Sequence, residues 1–311
     1  MMVSVALLLL GALTAVVAPR LLARADWPDR EPVVALWVWQ CVVAAVLLCC
    51  ALSMTLSAAA AWQAVRGHVF ATAPRAVVDA YALGAAGSWA APTALLLACG
   101  GLWSVAMLVR EVVRARTRRR ARRAELLVRA PLLPGEEPAG GRLVVLEADR
   151  PDAWWLPGAA PRLVITTAAL RRLKERQLDA LLAHEQGHAQ ARHDWLLHCS
   201  AALAGGFPQV PVFAAFRDEM HRLVELAADD TASRRFGRLT TALALVGLNE
   251  DRGVFGPCPT PQAHVPRRVR RLLTAPDRLP ALRRLRLTAT AALVPVVPVL
   301  VALVPGLRAL G

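Results

Sequence analysis

The sequence predicts a mainly α-helical membrane protein with four transmembrane helices and a cytoplasmic α+β domain that contains a small sheet. The 311 residues are 56% hydrophobic, with a mean hydropathy of +0.42. Such a chain is too apolar for a soluble domain and too charged to lie in a membrane throughout. The charged segment 110–286 has the length of one ordinary domain. Its β-rich runs precede its helical runs, which is typical of the α+β class.

Four uncharged runs are long enough for the roughly 20 apolar residues that a bilayer-spanning helix needs. They are residues 1–19, 32–65, 80–109 and 287–307. We predict transmembrane helices at about 2–19, 33–60, 84–109 and 287–307, so that residues 1–109 form a three-helix membrane domain. The first run lacks the basic residues that precede the apolar core of a signal peptide, so we interpret it as a retained helix.

Arginines on both flanks of the 110–286 segment predict its side of the membrane. The run "REVVRARTRRRARR" (110–123) holds eight arginines and one acid, and further arginines precede the fourth span at Arg278, Arg283, Arg284 and Arg286. By the positive-inside rule the segment is cytoplasmic and the N-terminus is outside the cell membrane. We interpret this arginine run as a solvated juxtamembrane face near the anionic lipid of the bilayer, and we expect no direct binding of nucleic acid despite the formal net charge of +14.

Within 110–286, β-rich runs come first and helical runs follow. The predicted strands are "GRLVVLEAD" (141–149), "AWWLPG" (153–158) and "PRLVITT" (161–167). Thr166 or Thr167 is placed to cap the next helix. We predict a longer helix from about Arg176 to Ala204 and another from Phe216 to Phe236, ended by Gly237. The apolar stretch 196–216 between them is predicted to be an amphipathic hairpin that touches the inner leaflet.

The stretch "LLAHEQGHAQARHDW" (181–195) contains the pattern H-E-x-x-H. On a helix His184 and His188 project from one face a turn apart, close enough to hold one ion. Glu185 points alongside, where it can reach a water next to that ion. A catalytic zinc site also needs a third protein ligand and an open fourth position. The pattern alone is therefore a modest signal.

Candidates for the third ligand fall into two groups. On a continuous helix His193 lies about 180° from His184, and His198 lies about 15 Å along the axis from His188, so both are expected to be surface or packing residues. In "HRLVELAADDTA" (221–232), Glu225 and Asp229 again share one helical face. A glutamate-type zincin (gluzincin) draws its third ligand from such a helix, and an acid one turn on can orient a ligand histidine. We predict a Zn²⁺ site of this type.

Four segments, in this order, carry a resemblance to the BlaR/MecR-type membrane zinc metallopeptidases: "AWWLPGAAPRLVITTAALRRL", "LDALLAHEQGHAQARHDW", "GGFPQVPVF" and "VELAADDTA". The resemblance implies that His184, His188 and Glu225 bind zinc and that Glu185 is the catalytic base of a cytoplasmic domain with three spans before it and one after. The antibiotic sensors of that family carry an extracellular penicillin-binding domain after the last span. The present sequence ends at Gly311, so we expect no β-lactam sensing through such a domain.

We therefore expect an integral-membrane zinc endopeptidase that cuts a cytoplasmic or membrane-proximal protein, with a transcriptional repressor as one candidate substrate. One alternative is a quality-control or processing peptidase of the HtpX and CAAX-prenyl-protease kind, whose members usually place transmembrane hairpins between the two motifs. The other is a zinc-binding, non-catalytic signal transducer. The sequence leaves a homo-oligomer open.

Three finer expectations concern the substrate groove. The strand 161–167 is predicted to be a sheet edge to which a peptide adds. Trp154 and Trp155 are candidates for the groove wall, with a core or lipid-facing position as the alternative. A second donor to the oxyanion is expected from His264 or from one of the arginines in 267–271.

Overall fold

The computed structural model describes residues 2–66, 90–129, 143–156, 162–249, 265–274 and 277–310. This part of the chain is mostly helical and contains one small sheet. The predicted mainly α class is confirmed at this level.

The described elements follow one another in a simple order. Helices α1 (Met2–Ala23), α2 (Pro32–Arg66) and α3 (Ala90–Arg129) come first, with a 3₁₀ turn at Trp27–Asp29 between α1 and α2. The strands are β1 (Leu143–Leu146), β2 (Ala153–Leu156) and β3 (Arg162–Thr166). The later helices are α4 (Thr167–Arg172), α5 (Glu175–Gln190), α6 (His193–Gly206), α7 (Pro211–Phe236), α8 (Arg238–Asn249), α9 (Val265–Thr274), α10 (Ala281–Leu293) and α11 (Val296–Leu310).

Two helices in the described part of the chain are long and apolar enough to cross a membrane. They are α1 and the stretch Pro32–Ala59 of α2. The pair α10 and α11 becomes a third candidate if its 42° bend is part of one broken span, and Pro295, which has no N–H to donate, lies at the break. Part of the predicted span 84–109 lies outside the described residues, so the prediction of four spans is not confirmed.

The sheet has the order β1–β3–β2. Strand β3 pairs with β1 in parallel and with β2 in antiparallel register. The prediction that β3 forms an open edge is therefore wrong, because a strand pairs along each of its sides. The outer side of β2 has no partner strand within the described ranges. At the end of β3, the Thr166 hydroxyl accepts a hydrogen bond from the Ala169 N–H at 3.2 Å, which confirms the predicted cap of α4.

The long helix predicted from Arg176 to Ala204 is in fact two helices. Helix α5 ends at Gln190, and α6 begins at His193. Between them Arg192 has φ 52° and ψ 39°, the left-handed conformation that a right-handed helix cannot contain. The next predicted helix starts earlier than expected, at Pro211 instead of Phe216, because proline is well suited to the first turn of a helix.

Helices α6 and α7 share one hydrophobic core with α1 and α2. Phe216 of α7 packs against Trp39 of α2 with ring centroids 6.3 Å apart. Met220 and Leu223, one and two turns further along α7, are fully buried in the same cluster. The first half of α7 is therefore fixed against the apolar N-terminal helices, and its second half continues towards the H-E-x-x-H helix.

The short segment between α1 and α2 is bound to the later helices by charged groups. The Asp29 carboxylate accepts hydrogen bonds from Arg222 of α7 and Arg267 of α9. Arg271, one turn along α9, donates to the Asp29 carbonyl oxygen at 2.6 Å. Burial raises the pKa of Asp29, but the positive charges of Arg222 and Arg267 outweigh burial and hold this pKa below its ordinary value of 3.8. Asp29 thus fixes α9 to the loop of the N-terminal helix pair.

We predict that Asp29→Asn weakens this attachment and lowers the stability of the folded protein at neutral pH by about 1.5–3 kcal/mol, the usual range for hydrogen bonds to charged groups. Because the folded-state pKa of Asp29 is lowered, the stabilisation is present above pH 3.8 and is lost as the pH falls below it. Thermal unfolding in detergent measures the gap between wild type and variant. The gap should close below pH 3.8, and a gap independent of pH would contradict the assignment.

Candidate metal centre

A glycine allows the two helices of the site to approach closely. A Cβ atom on Gly187 of α5 would lie 3.3 Å from Thr231 Cβ and 3.5 Å from Ala228 Cα, both on α7. The first distance is tighter than an ordinary van der Waals contact, so a side chain at 187 would require Thr231 to shift by a few tenths of an ångström. Gly187 lies one residue before His188, and Ala228 lies one residue before Asp229. The contact therefore places the two motifs next to each other.

Three potential ligands meet where α5 crosses α7. Ligand atoms of His184, His188 and Glu225 all lie within 4.8 Å of one another. The two Nε2 atoms are 3.2 Å apart, and the Glu225 carboxylate oxygens lie 3.6 Å from His184 Nε2 and 3.4 Å from His188 Nε2. Ligands at 2.0–2.1 Å from a tetrahedral ion are separated by about 3.3–3.4 Å. Two imidazoles and a carboxylate at these separations fit Zn²⁺.

Asp229 lies behind the first histidine, as the spacing of four residues from Glu225 predicts. Its Oδ1 atom is 3.0 Å from His184 Nδ1, so the imidazole donates a hydrogen bond to this carboxylate. The Nδ1 atom then carries the proton, and the lone pair of Nε2 points to the place where the three ligand atoms meet. A histidine held in this way has the tautomer and the orientation that a metal ligand needs.

Arg268 of α9 holds both carboxylates of α7. It donates to Asp229 through Nε at 2.8 Å and Nη2 at 2.7 Å, and its Nη1 atom lies 2.7 Å from Glu225 Oε2. The Asp229 carboxylate is almost fully buried and the Arg268 guanidinium nearly so. A two-point contact between guanidinium and carboxylate is strong and directional. Arg268 therefore compensates the buried negative charge of α7.

The surroundings of the site shift the pKa values of the two ligand histidines in opposite directions. Burial disfavours the charged form of His184, but hydrogen bonds and charges from Asp229 and Glu225 outweigh it and raise the pKa of His184 to about 10. Burial, aided by the neighbouring positive charges, lowers the pKa of His188 to about 3. Arg268 and His184 hold the pKa of Glu225 well below its ordinary value, although burial opposes this.

The three ligand groups open into a cleft of about 390 Å³. Glu185 lines this cleft beside them, as the sequence predicts for a base. One wall comes from the segment Pro151–Trp154, which includes the start of β2, and another from α8. Trp154 lines the cleft, whereas the side chain of Trp155 lies outside the described residues. The cleft is thus bounded by a sheet edge on one side and by the ligand helices on the other.

The structure corrects one expectation about a residue near the ligands. His193 was expected to face away, but its Nδ1 atom lies 3.0 Å from His188 Nδ1, because the helix breaks at Arg192. Among the arginines of 267–271 expected to include an oxyanion donor, Arg268 lines the cleft and bonds the Asp229 and Glu225 carboxylates, whereas Arg267 and Arg271 bond Asp29. The Nδ1 atom of His198 lies 2.5 Å from the Asp194 carbonyl oxygen, and His198 is not among the residues that line the cleft. His264, the other candidate oxyanion donor, is outside the described residues.

Residues 114–222 match a family model described as Peptidase family M48. The matched region includes His184, Glu185 and His188 and ends before Glu225. It supports a metallopeptidase, and it gives no support to the narrower BlaR/MecR resemblance. No curated protein and no solved structure matches the chain. The H-E-x-x-H helix thus rests on two independent findings, the family match and the geometry, whereas Glu225 and Asp229 rest on the geometry alone.

We predict that Arg268→Met strongly destabilises the metal-free protein, because it leaves two carboxylates facing each other with one imidazole between them. Breaking a buried charge network in this way costs about 3–5 kcal/mol. The matched control is Arg267→Met on the same helix, whose exposed ion pair with Asp29 contributes about 0–1 kcal/mol. Thermal unfolding of chelator-treated protein in detergent compares the two variants. Equal losses of stability would contradict the role assigned to Arg268.

Proposed function

We propose that this chain is an integral-membrane zinc endopeptidase that hydrolyses peptide bonds of a cytoplasmic or membrane-proximal protein. The observation that carries the proposal is the triangle formed by His184, His188 and Glu225, with separations of 3.2–3.6 Å between their ligand atoms. The match to Peptidase family M48 supports the same reaction class.

The donor set supports zinc over other common ions. Two imidazoles and one carboxylate form the typical ligand set of catalytic zinc, whereas calcium and magnesium prefer sites made of oxygen atoms. The three ligand residues line the same cleft as Glu185, so the fourth coordination position of an ion held by them would open to this cleft. Three protein ligands with an open fourth position distinguish a catalytic site from a structural one.

Zn²⁺ in this position would supply the Lewis acidity that lowers the pKa of water towards ~7 and polarises a peptide carbonyl. Glu185 accepts the proton of the attacking water and delivers it to the leaving amine, so that it acts first as a base and then as an acid. Asp229 and Arg268 take no part in these proton transfers. They keep His184 and Glu225 in place, since Asp229 bonds the imidazole and Arg268 bonds both carboxylates.

The outer side of β2 is the proposed binding edge for the substrate backbone. It has no partner strand among the described residues, and the wall of the cleft includes Ala153 and Trp154 of this strand. An extended peptide that adds to such an edge is bound mainly through main-chain hydrogen bonds. This mode places few demands on the sequence of the substrate and leaves selection to the side chains along the cleft.

A location at the membrane is supported by the two apolar N-terminal helices and by the way the domain is attached to them. Asp29, in the loop between these helices, bonds Arg222 and Arg267 of the later helices. These contacts support a metal centre on the same side of the helix pair as this loop. Arginine-rich flanks on that side make it cytoplasmic in our proposal.

A second candidate function is a processing or quality-control peptidase of the HtpX and CAAX-prenyl-protease kind. One observation favours it: α6 and the first half of α7, which lie between the two motifs, form a hairpin packed into one core with α1 and α2. Against it, helix α6 has 14 residues, fewer than the roughly 20 needed to cross a bilayer, so it does not form the transmembrane hairpin usual between the motifs of that family. A transcriptional repressor is a candidate substrate only for the endopeptidase proposed first.

We predict that Glu185→Gln abolishes proteolysis while zinc stays bound, because the base is lost but the ligands are intact. General acid–base groups contribute about 10²–10⁴-fold to rate. The assay is cleavage of casein, and of the chain itself, by full-length protein in detergent, with zinc measured by elemental analysis. Glu175→Gln, an exposed position at the start of the same helix, serves as the control and should keep full activity.

Three outcomes of this experiment separate the candidates. Loss of cleavage with retained zinc supports the peptidase. Zinc-loaded wild type that cleaves neither casein nor itself would favour the non-catalytic transducer. Undiminished cleavage by Glu185→Gln would rule out Glu185 as the catalytic base.

A further inference from the structure

The break between α5 and α6 has an unusual backbone. Arg192 is the one non-glycine residue with a positive φ in the described part of the chain. A left-handed conformation costs a residue with a Cβ atom about 1–2 kcal/mol. Such a conformation persists where the surrounding structure gains from it, and it is often found at functional sites. The residue that follows it is His193.

The left-handed residue changes the direction of the His193 side chain. On an uninterrupted helix, His193 would point about 140° away from His188, five residues earlier. In the structure the two Nδ1 atoms lie 3.0 Å apart, and the rings meet edge to face at 81° with centroids 5.0 Å apart. His193 is 4% exposed, so water does not compete for this contact.

The hydrogen bond has one direction that is compatible with a metal ion. His188 must present the lone pair of Nε2 to bind metal, so its proton is on Nδ1. That N–H donates to Nδ1 of His193, which then accepts with its own lone pair and carries its proton on Nε2. In the opposite arrangement His188 would be protonated on Nε2 and would not bind a metal ion. His193 therefore selects the tautomer of His188 and fixes the plane of its ring.

We propose that His193 is the positioning residue of His188, as Asp229 is of His184. This inference rests on the proposed metal site. The two ligand histidines come from one helix, but the groups that hold them come from different helices, Asp229 from α7 and His193 from α6. His193 does not itself bind the metal in this arrangement, because its Nδ1 lone pair accepts from His188 and its Nε2 atom carries the proton. The backbone strain at Arg192 is compensated by the orientation it gives to His188.

The test uses the full-length protein in detergent and measures the dissociation constant for Zn²⁺ by competition with a chromogenic chelator. His193→Phe keeps a buried ring but removes the acceptor, and we expect it to weaken zinc binding about 10–100-fold, the usual effect of losing a partner of a ligand histidine. His193→Asn offers an acceptor near the position of Nδ1 and should recover most of the affinity. His198→Phe on the same helix is the matched control and should bind like wild type.

The absorption spectrum of the Co²⁺-substituted protein gives a second readout, since it reports ligand geometry without any turnover. We expect His193→Phe to change this spectrum and His193→Asn to restore it. If His193→Phe fails to fold, His193→Ala compared with His193→Asn makes the same distinction. A wild type that binds no zinc would overturn the proposed function and this inference together. Zinc-binding wild type with an unchanged dissociation constant in the acceptor-free variant would overturn the inference alone.

Discussion

The close contact between α5 and α7 is the constraint on which the metal centre depends. The two motifs are separated by α6 and a turn, so local sequence does not bring them together. Gly187 lets the helix backbones approach at Ala228 and Thr231. One residue further along α5 is His188, and one residue further along α7 is Asp229. With the two helices packed in this way, the separations among His184, His188 and Glu225 lie within a few tenths of an ångström of those of a tetrahedral site.

The contact brings two carboxylates together in a largely buried place, which is unfavourable without compensation. Arg268 supplies that compensation from a third helix by bonding both of them. Helix α9 is in turn bound to the loop between α1 and α2 through Arg267 and Arg271. The metal centre is thus connected to the apolar helix pair along two paths, the core around Met220 and Leu223 of α7 and the arginines of α9.

Those parts of the site that follow from helical periodicity could be predicted from the sequence. His184 and His188 share a face because they are four residues apart, and the same spacing relates Glu225 to Asp229. The strands and the cap at Thr166 also follow from local patterns. The pairing of the two motifs needed the ligand count of a catalytic zinc site as an additional argument.

The rest depends on contacts between distant segments. The helix break at Arg192 carries no glycine or proline, so the sequence gives no sign that His193 turns back towards His188. The order of the strands in the sheet also cannot be predicted from local sequence. Strand β3 is central because β1 and β2 pair on its two sides. Arg268 is one of several arginines in a basic stretch, and only its position relative to α7 distinguishes it from Arg267. In contrast, the bend between α10 and α11 has a local signal in the sequence, because Pro295 lies at the break.

X-ray absorption at the zinc K-edge reports the kind and number of ligands around the ion in the intact protein. For a site built by α5 and α7 we expect stoichiometric zinc with two imidazole ligands and oxygen ligands at about 2.0–2.2 Å, and no sulfur. We also expect Glu225→Ala to lower the number of oxygen ligands from protein while both imidazoles remain. Sulfur in the first coordination shell, or zinc with a spectrum unchanged by Glu225→Ala, would show that these two helices do not form the metal site.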